Sequence, residues 1–198
     1  MADAVVMLVT DRRLLPEDGL PALVAGAARA GVDYVQLREK DLGDRALLEL
    51  AREVCAAAAG TGARVLVNGR PDVALAAGAH GVQLPADGLP PADVRRAFPD
   101  LLVGVSCHSV EAVARAERAG AHLVLLGPVF PTRGKERALG TGPLAAAAAA
   151  AGVPVLAIGG ITPETAGDAL RAGARGVAAI RAFVGAEPQA TVRALRGR

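Results

Sequence analysis

VPVLAIGGITPETAGDALRAGARGVAAIRAF, residues 153–183, reads as strand, turn, helix, strand. Val153 to Ile158 is a short apolar run with β-branched residues, the composition of a strand buried on both faces. Gly159-Gly160 ends it. Thr162 is placed to cap a helix and Pro163 to occupy its first position, where a missing N–H costs nothing. The helix closes at Gly173, and Gly176 to Ile180 forms a second buried strand. Two glycines after a strand let the backbone approach a ligand and turn its N–H groups outward. In a βα-barrel, the loops after the seventh and eighth strands are the usual phosphate site, and Arg181 adds a positive charge there. The same pair can also serve only as a tight turn. What decides is whether six more strands precede these two.

They do. Val5 to Val9, Tyr34 to Leu37, Arg64 to Val67, Gly81 to Leu84, Leu101 to Val105 and Leu123 to Leu126 are short apolar runs. Helical segments alternate with them: Leu20 to Ala30, Asp44 (as cap) to Ala59, Pro71 to Ala77, Pro91 to Phe98, Ser109 (as cap) to Ala119, Pro143 to Ala151 and, last, Ala190 to Leu195. Alanine-glycine steps at Gly31, Gly78, Gly120, Gly152 and Gly173 behave like a repeated helix stop before the next strand. Strict βα alternation with doubly apolar strands implies a parallel sheet covered by helices. Eight such units in 198 residues fit a single α/β domain, a (β/α)8 TIM barrel; an open doubly wound sheet is the alternative.

Composition narrows the function. Hydrophobic residues make up 52% of the chain and aromatics 2%, so the core is aliphatic and base stacking on nucleic acid has no residues to use. The net charge of +2, with cations scattered along the chain, gives no nucleic-acid footprint. The two cysteines, Cys55 and Cys107, suit neither a disulfide framework nor a zinc site. The N-terminal apolar run is too short for a signal peptide or a membrane span, which predicts a cytoplasmic protein. The alanines from Ala145 to Ala151 allow close helix packing, within one barrel or between two copies in a homodimer.

Polar residues gather at one end of the strands. Gln36, Arg38 and Lys40 alternate at the end of the second strand, on one face. Asn68 ends the third, Gln83 lies in the fourth, and Ser106 and His108 end the fifth. Thr132 and Lys135 sit on the loop after the sixth. This is the rim where barrel chemistry occurs, and polar side chains in apolar strands are costly unless paired or used. Arg38, Lys40, Lys135 and Arg181 make the rim cationic, with few acids (Asp11, Glu39, Asp87), which predicts a small phosphorylated ligand. His80 and His122 fall at the opposite ends of their strands and are expected to be structural. His108 either caps the following helix or moves a proton.

The motifs YVQLREK (34–40), GVSCHS (104–109), GPVFPT (127–132) and AIGGI (157–161) resemble the thiamine phosphate synthase superfamily over nearly the whole chain. The resemblance implies a (β/α)8 barrel with one of two activities. A synthase joins hydroxymethylpyrimidine pyrophosphate to thiazole phosphate, releasing pyrophosphate, with magnesium; a thiazole tautomerase aromatises the thiazole phosphate carboxylate without metal. By that resemblance Gln36, Arg38 and Lys40 match the pyrophosphate motif. Thr132 and Lys135 match the loop after the sixth strand, and Gly159, Gly160, Ile180 and Arg181 match the thiazole phosphate site.

The aspartates that hold magnesium in the synthase are replaced here by Asn68-Gly69-Arg70 and by Gln83-Leu-Pro-Ala-Asp87-Gly88. On that ground the expected activity is the tautomerase, without a cofactor, with His108 and Lys40 as catalytic candidates and Gln36, Arg38, Asn68, Gln83, Ser106, Thr132 and Lys135 holding the substrate. Against it, Pro128 stands where the tautomerase carries its histidine. The alternatives are the synthase, the one reading that needs Mg2+, and a non-catalytic homologue that only binds a phosphorylated ligand.

Overall fold

The structure is a computed structural model that describes residues 3–132, 134 and 137–197. Eight parallel strands pair in chain order: β1 (Val5–Val9), β2 (Tyr34–Leu37), β3 (Arg64–Asn68), β4 (Gly81–Leu84), β5 (Leu102–Cys107), β6 (Leu123–Leu126), β7 (Val155–Ile158) and β8 (Gly176–Ala179). β8 returns to β1, with Val5 opposite Gly176 and Leu8 opposite Ala179, so the sheet is a closed barrel and not an open one. Gly176 permits this closure, because a Cβ there would run into the Val5 carbonyl oxygen.

Between the strands lie α1 (Gly19–Arg29), α2 (Asp44–Ala58), α3 (Pro71–Ala77), α4 (Pro91–Ala97), α5 (Val110–Arg118), α6 (Thr141–Ala150) and α7 (Pro163–Arg171), and α8 (Pro188–Leu195) closes the ring.

The period-two alternation of the strands sorts their apolar residues into two cores. Val6, Leu8, Val35, Leu37, Val65 and Val67 face outward and pack against helix residues such as Val24, Leu47 and Val54. Met7, Val9, Leu66, Leu123, Leu125, Leu156 and Ala178 fill the barrel interior. The low aromatic content is consistent with this packing: branched aliphatics in staggered layers fill a small barrel without voids.

Element ends differ from the sequence reading in ways with local causes. Gly43, not Asp44, is the N-cap of α2; Asp44 is its first residue, and its carboxylate accepts from Arg70 Nη1 at 2.6 Å. β7 starts at Val155, just after Pro154, which has no N–H to give to a ladder. α8 starts at Pro188 because the Glu187 side chain caps it, accepting from Gln189 N at 3.0 Å and Ala190 N at 2.6 Å. Thr162 and Pro163 stand where the sequence puts them, with Thr165 completing a capping box. Gly78 is a left-handed helix stop, but Gly152 is not; its N–H donates to Glu117 Oε1 at 2.8 Å.

His80 and His122 are structural, as expected from their place at the N-terminal pole. Each uses Nδ1 to accept a backbone N–H from the neighbouring strand, Val65 N at 3.1 Å and Val103 N at 2.9 Å. Among the described residues no helix is long and apolar enough to cross a membrane. α6 buries Leu144 and Ala147 against its own barrel.

Candidate active site

The site is the rim formed by the C-terminal ends of the strands. Its first wall joins the exits of β1 and β2. Buried Thr10 accepts from Arg38 N at 2.9 Å and donates its hydroxyl to Glu39 Oε1 at 2.6 Å. Glu39 is 4% exposed and also accepts from Arg12 N at 3.1 Å and Arg12 Nη1 at 3.2 Å. The Arg12 fork also grips Asp41 at 2.8 Å through both nitrogens, which holds the Asp41 carboxyl down to about 2. Glu39, which the sequence places among the free acids of the mouth, is therefore a buried strut. It fixes the backbone on either side, at Arg38 and Lys40.

Gln36 is buried and turned inward, Arg38 is half-buried and Lys40 is exposed, so the alternating triplet climbs from the barrel interior to solvent. The Arg38 guanidinium and the Lys40 ammonium have no hydrogen-bond partner among the described residues. Asp11 lies near them. Its carboxyl is held below the usual range first by Arg13, at 2.9 Å, and in smaller part by the charge of Arg38.

The second wall runs from β3 to β6. Asn68 sits opposite Gln83 in the ladder, and Gln83 opposite Gly104. Gln83 is fully buried; its Nε2 donates to Ser106 Oγ at 3.1 Å. Its Oε1 is the one buried side-chain polar atom without a partner among the described residues. The amide folds against Gly104, where a Cβ would collide with that oxygen. His108 is exposed, and its Nδ1 lies 2.5 Å from the Gly127 carbonyl oxygen. A carbonyl can only accept, so Nδ1 carries a proton and donates it to that oxygen. The Ser109 hydroxyl, not His108, caps α5, accepting from Ala112 N at 3.2 Å.

The third wall is the diglycine turn. Gly159 and Gly160 have φ of +92° and +65°. A Cβ on Gly159 would lie 2.5 Å from Pro128 Cβ, and one on Gly160 2.6 Å from Phe130 Cβ. The turn thus needs glycine twice over, for its left-handed backbone and for close contact with the β6 loop. Phe130 N donates to Gly159 O at 3.0 Å, and Thr165 Oγ1 to Gly160 O at 2.8 Å. These carbonyls are occupied, while the N–H groups of Gly159 and Gly160 have no acceptor among the described residues. Beyond β8, Ile180 leads into a short 3-10 turn, Arg181–Phe183, and the Arg181 side chain is exposed. That turn, like the Arg12 turn after β1, gives no signal in the sequence.

Those of the expected site residues that the structure describes therefore occupy one rim. Gln36 with Arg38, Asn68 with Gln83 and Ser106, His108 with Gly127, and the β6 loop with Gly159 and Gly160 follow one another around it. Lys40 and Arg181 share the rim without touching another site residue, Thr132 is half-buried on the β6 loop, and Lys135 lies outside the described residues. At the opposite pole, a groove of about 1030 Å³ is bordered by Arg175 and Arg196. Both guanidiniums are already tied to backbone carbonyls, of Asp3 and of Ala4 and Gly31.

Comparison with known proteins bears on the chemistry. The family model described as thiamine monophosphate synthase matches residues 6–183. A thiamine-phosphate synthase of Methanoculleus marisnigri is 44% identical, covering 87% of this chain and 84% of that protein. One of Roseiflexus castenholzii is 42% identical, covering 96% and 86%. The solved thiamine phosphate pyrophosphorylase from Pyrococcus furiosus superposes with a TM-score of 0.88 at 33% identity, covering 98% of this chain and 94% of the other. These relatives overturn the tautomerase expectation, which rested on the replaced aspartates. They carry the synthase name at this similarity over nearly full length. The rim agrees with the correction: position 128 is proline, and the one histidine of the mouth is anchored to a carbonyl through Nδ1.

Proposed function

Since the chain belongs to the thiamine monophosphate synthase family, we propose that it is a transferase joining hydroxymethylpyrimidine pyrophosphate to thiazole phosphate. The thiazole nitrogen forms a bond to the pyrimidine methylene carbon, the carbon–oxygen bond to pyrophosphate breaks, and pyrophosphate leaves with the electron pair. The observation that carries this reading is the division of the rim into two anion sites. Arg38 and Lys40 stand at one side and the N–H groups of Gly159 and Gly160 at the other, all without a hydrogen-bond partner among the described residues. A reaction between a pyrophosphate and a phosphate ester needs both.

In this mechanism Arg38 and Lys40 meet the negative charge that builds on the leaving pyrophosphate. Fixed cations aimed at developing charge lower the barrier without reorganising. Gly159, Gly160, Ile180 and Arg181 hold the thiazole phosphate through backbone N–H groups and one guanidinium. Gln36, Asn68, Gln83 and Ser106 present amides and a hydroxyl to the pyrimidine, and Thr132 adds a second hydroxyl from the β6 loop. His108, its Nδ1 tied to the Gly127 carbonyl, stands on the same rim as a polar contact for the ligand. The two bound phosphates bring nitrogen and methylene together, which converts a bimolecular encounter into a local one.

The test is to supply both substrates and follow thiamine phosphate by chromatography. Product that requires both substrates supports the proposal; no product above the enzyme-free control refutes it.

A further inference from the structure

Most acids near the strand exits are already committed, while Glu17 and Asp18, exposed on the loop between β1 and α1, make no side-chain contact among the described residues. Asp11 is paired with Arg13, and Asp41 and Glu39 with Arg12. Asp44 and Asp72 are both held by Arg70, at 2.6 and 2.7 Å. Glu164 accepts from Thr162 Oγ1 at 2.6 Å. Asp87, exposed on the turn after β4, is the acid of the β3–β4 exits with no partner among the described residues. The exit of β3 carries Gly69 and Arg70, neither of which offers a carboxylate. No group of three or more acidic, histidine or cysteine side chains among the described residues is arranged to hold a metal ion.

Magnesium takes six oxygens in near-octahedral geometry, typically one or two from carboxylates beside those of a phosphorylated substrate. The magnesium associated with synthase chemistry therefore does not fit the donor set at the exits of β3 and β4: Asp87 alone is uncommitted there, and Asp44 and Asp72 would first have to leave Arg70.

We infer that this chain neutralises the pyrophosphate group of its ligand directly with Arg38 and Lys40 and anchors no divalent cation of its own. The inference rests on the synthase reading of the same rim. Arg70 is central to it. Its guanidinium lies between the starts of α2 and α3 and takes two carboxylates out of play, at the edge where a metal anchor would have to stand. Two cations without a partner among the described residues meet a ligand of high negative charge, an arrangement in which charge-assisted hydrogen bonds are strong without a metal.

The experiment is calorimetric titration of the full chain with inorganic pyrophosphate, in a chelator and then in saturating magnesium. Binding in the chelator, strengthened by magnesium less than about tenfold, is the expected result. Arg38→Gln and Lys40→Gln each weaken it at least about tenfold in both conditions, and Asp87→Asn changes neither. Magnesium strengthening of about tenfold or more overturns the inference, as does absence of binding in the chelator.

A second variant tests the reason. Gly69 has φ +70°, a conformation Asp adopts more readily than most residues, and the nearest atoms to a Cβ there are the Pro85 ring carbons at 3.7 Å. Gly69→Asp supplies the missing carboxylate, so magnesium strengthens pyrophosphate binding more in this variant than in the parent. Equal responses would show that the carboxylate is not what the parent lacks. Synthase turnover is scored separately: no thiamine phosphate under any condition defeats the proposed function while leaving the pyrophosphate result intact, and turnover that depends on tight magnesium binding defeats only the inference.

Discussion

Gln83 Nε2 donates to Ser106 Oγ at 3.1 Å, and this bond leaves Gln83 Oε1 buried without a partner on the barrel-mouth side of the interior. Turning the amide over would give the oxygen a donor and orphan the nitrogen instead. One polar atom is left over in either case, at a cost of about 1–3 kcal/mol. A group kept at that cost in an aliphatic barrel is best accounted for by a ligand that pairs with it.

Replacing Gln83 with Met, which has similar volume and no amide, removes the orphan along with its use. The melting temperature of Gln83→Met is expected to hold or rise while kcat/KM falls at least about tenfold, the loss of about 1.4 kcal/mol of transition-state binding. Gly104→Ala should reproduce the kinetic loss, since its Cβ occupies the place of Oε1. Calorimetry and steady-state kinetics on both variants check this; a fall in stability with unchanged kcat/KM would make the amide purely structural.

Arg38→Gln removes a charge with no structural partner among the described residues. Stability is expected to stay within about 0.5 kcal/mol, as for surface changes that break no named contact. Loss of a charge-assisted hydrogen bond of about 1.5–3 kcal/mol lowers kcat/KM about 10- to 150-fold. On the proposed reading, which puts thiazole phosphate at the opposite wall, its KM should move little.

Gly160→Ala places a methyl against Phe130 Cβ and Pro131 O on a backbone of φ +65°. The left-handed conformation alone costs an L-residue about 1–2 kcal/mol. Urea denaturation is expected to show at least that loss, with a raised KM for thiazole phosphate because the turn shifts.

Asp41 and His122 both contribute to the acid limb of stability, Asp41 alongside Asp11, Asp72, Glu111, Glu164 and Glu187, whose carboxyls are also held below the usual range. Asp41 has its carboxyl held to about 2 by the Arg12 hydrogen bonds, so its contribution is whole above about pH 4, the unfolded value, and is lost as pH falls toward 2. His122 is shifted the other way for a base: burial, helped by the charge of Arg95, disfavours its imidazolium and lowers its pKa. The unfolded chain therefore takes up that proton first, and stability declines as pH falls below about 6.5. Chemical denaturation across pH should show both slopes. Asp41→Asn makes the lower one shallower, and His122→Asn, whose amide oxygen can still accept from Val103 N, removes the upper one.

Much of this architecture is legible in the sequence because its signals are local. Strand–helix alternation, the Thr162-Pro163 helix start and the placing of His80 and His122 at the quiet pole all follow from neighbours in the chain. The arginine struts were not legible. Arg12 meets Glu39 and Asp41 across 27 and 29 positions, and Arg70 reaches Asp44 across 26. Residue type alone made Glu39 an acid of the mouth, and only its burial shows it to be a strut. The same limit misdirected the reading of activity. The replacement of two aspartates points away from the synthase, whereas the relatives keep that name at 42–44% identity. Nothing in residues 68–70 reveals that Arg70 neutralises the acids beside it.

The most direct test supplies hydroxymethylpyrimidine pyrophosphate and thiazole phosphate together and measures thiamine phosphate and pyrophosphate in the same samples. The account predicts that the two products appear in equal amounts, that neither appears when one substrate is omitted, and that Arg38→Gln slows both alike. Pyrophosphate released without thiamine phosphate, or no release at all, would contradict it.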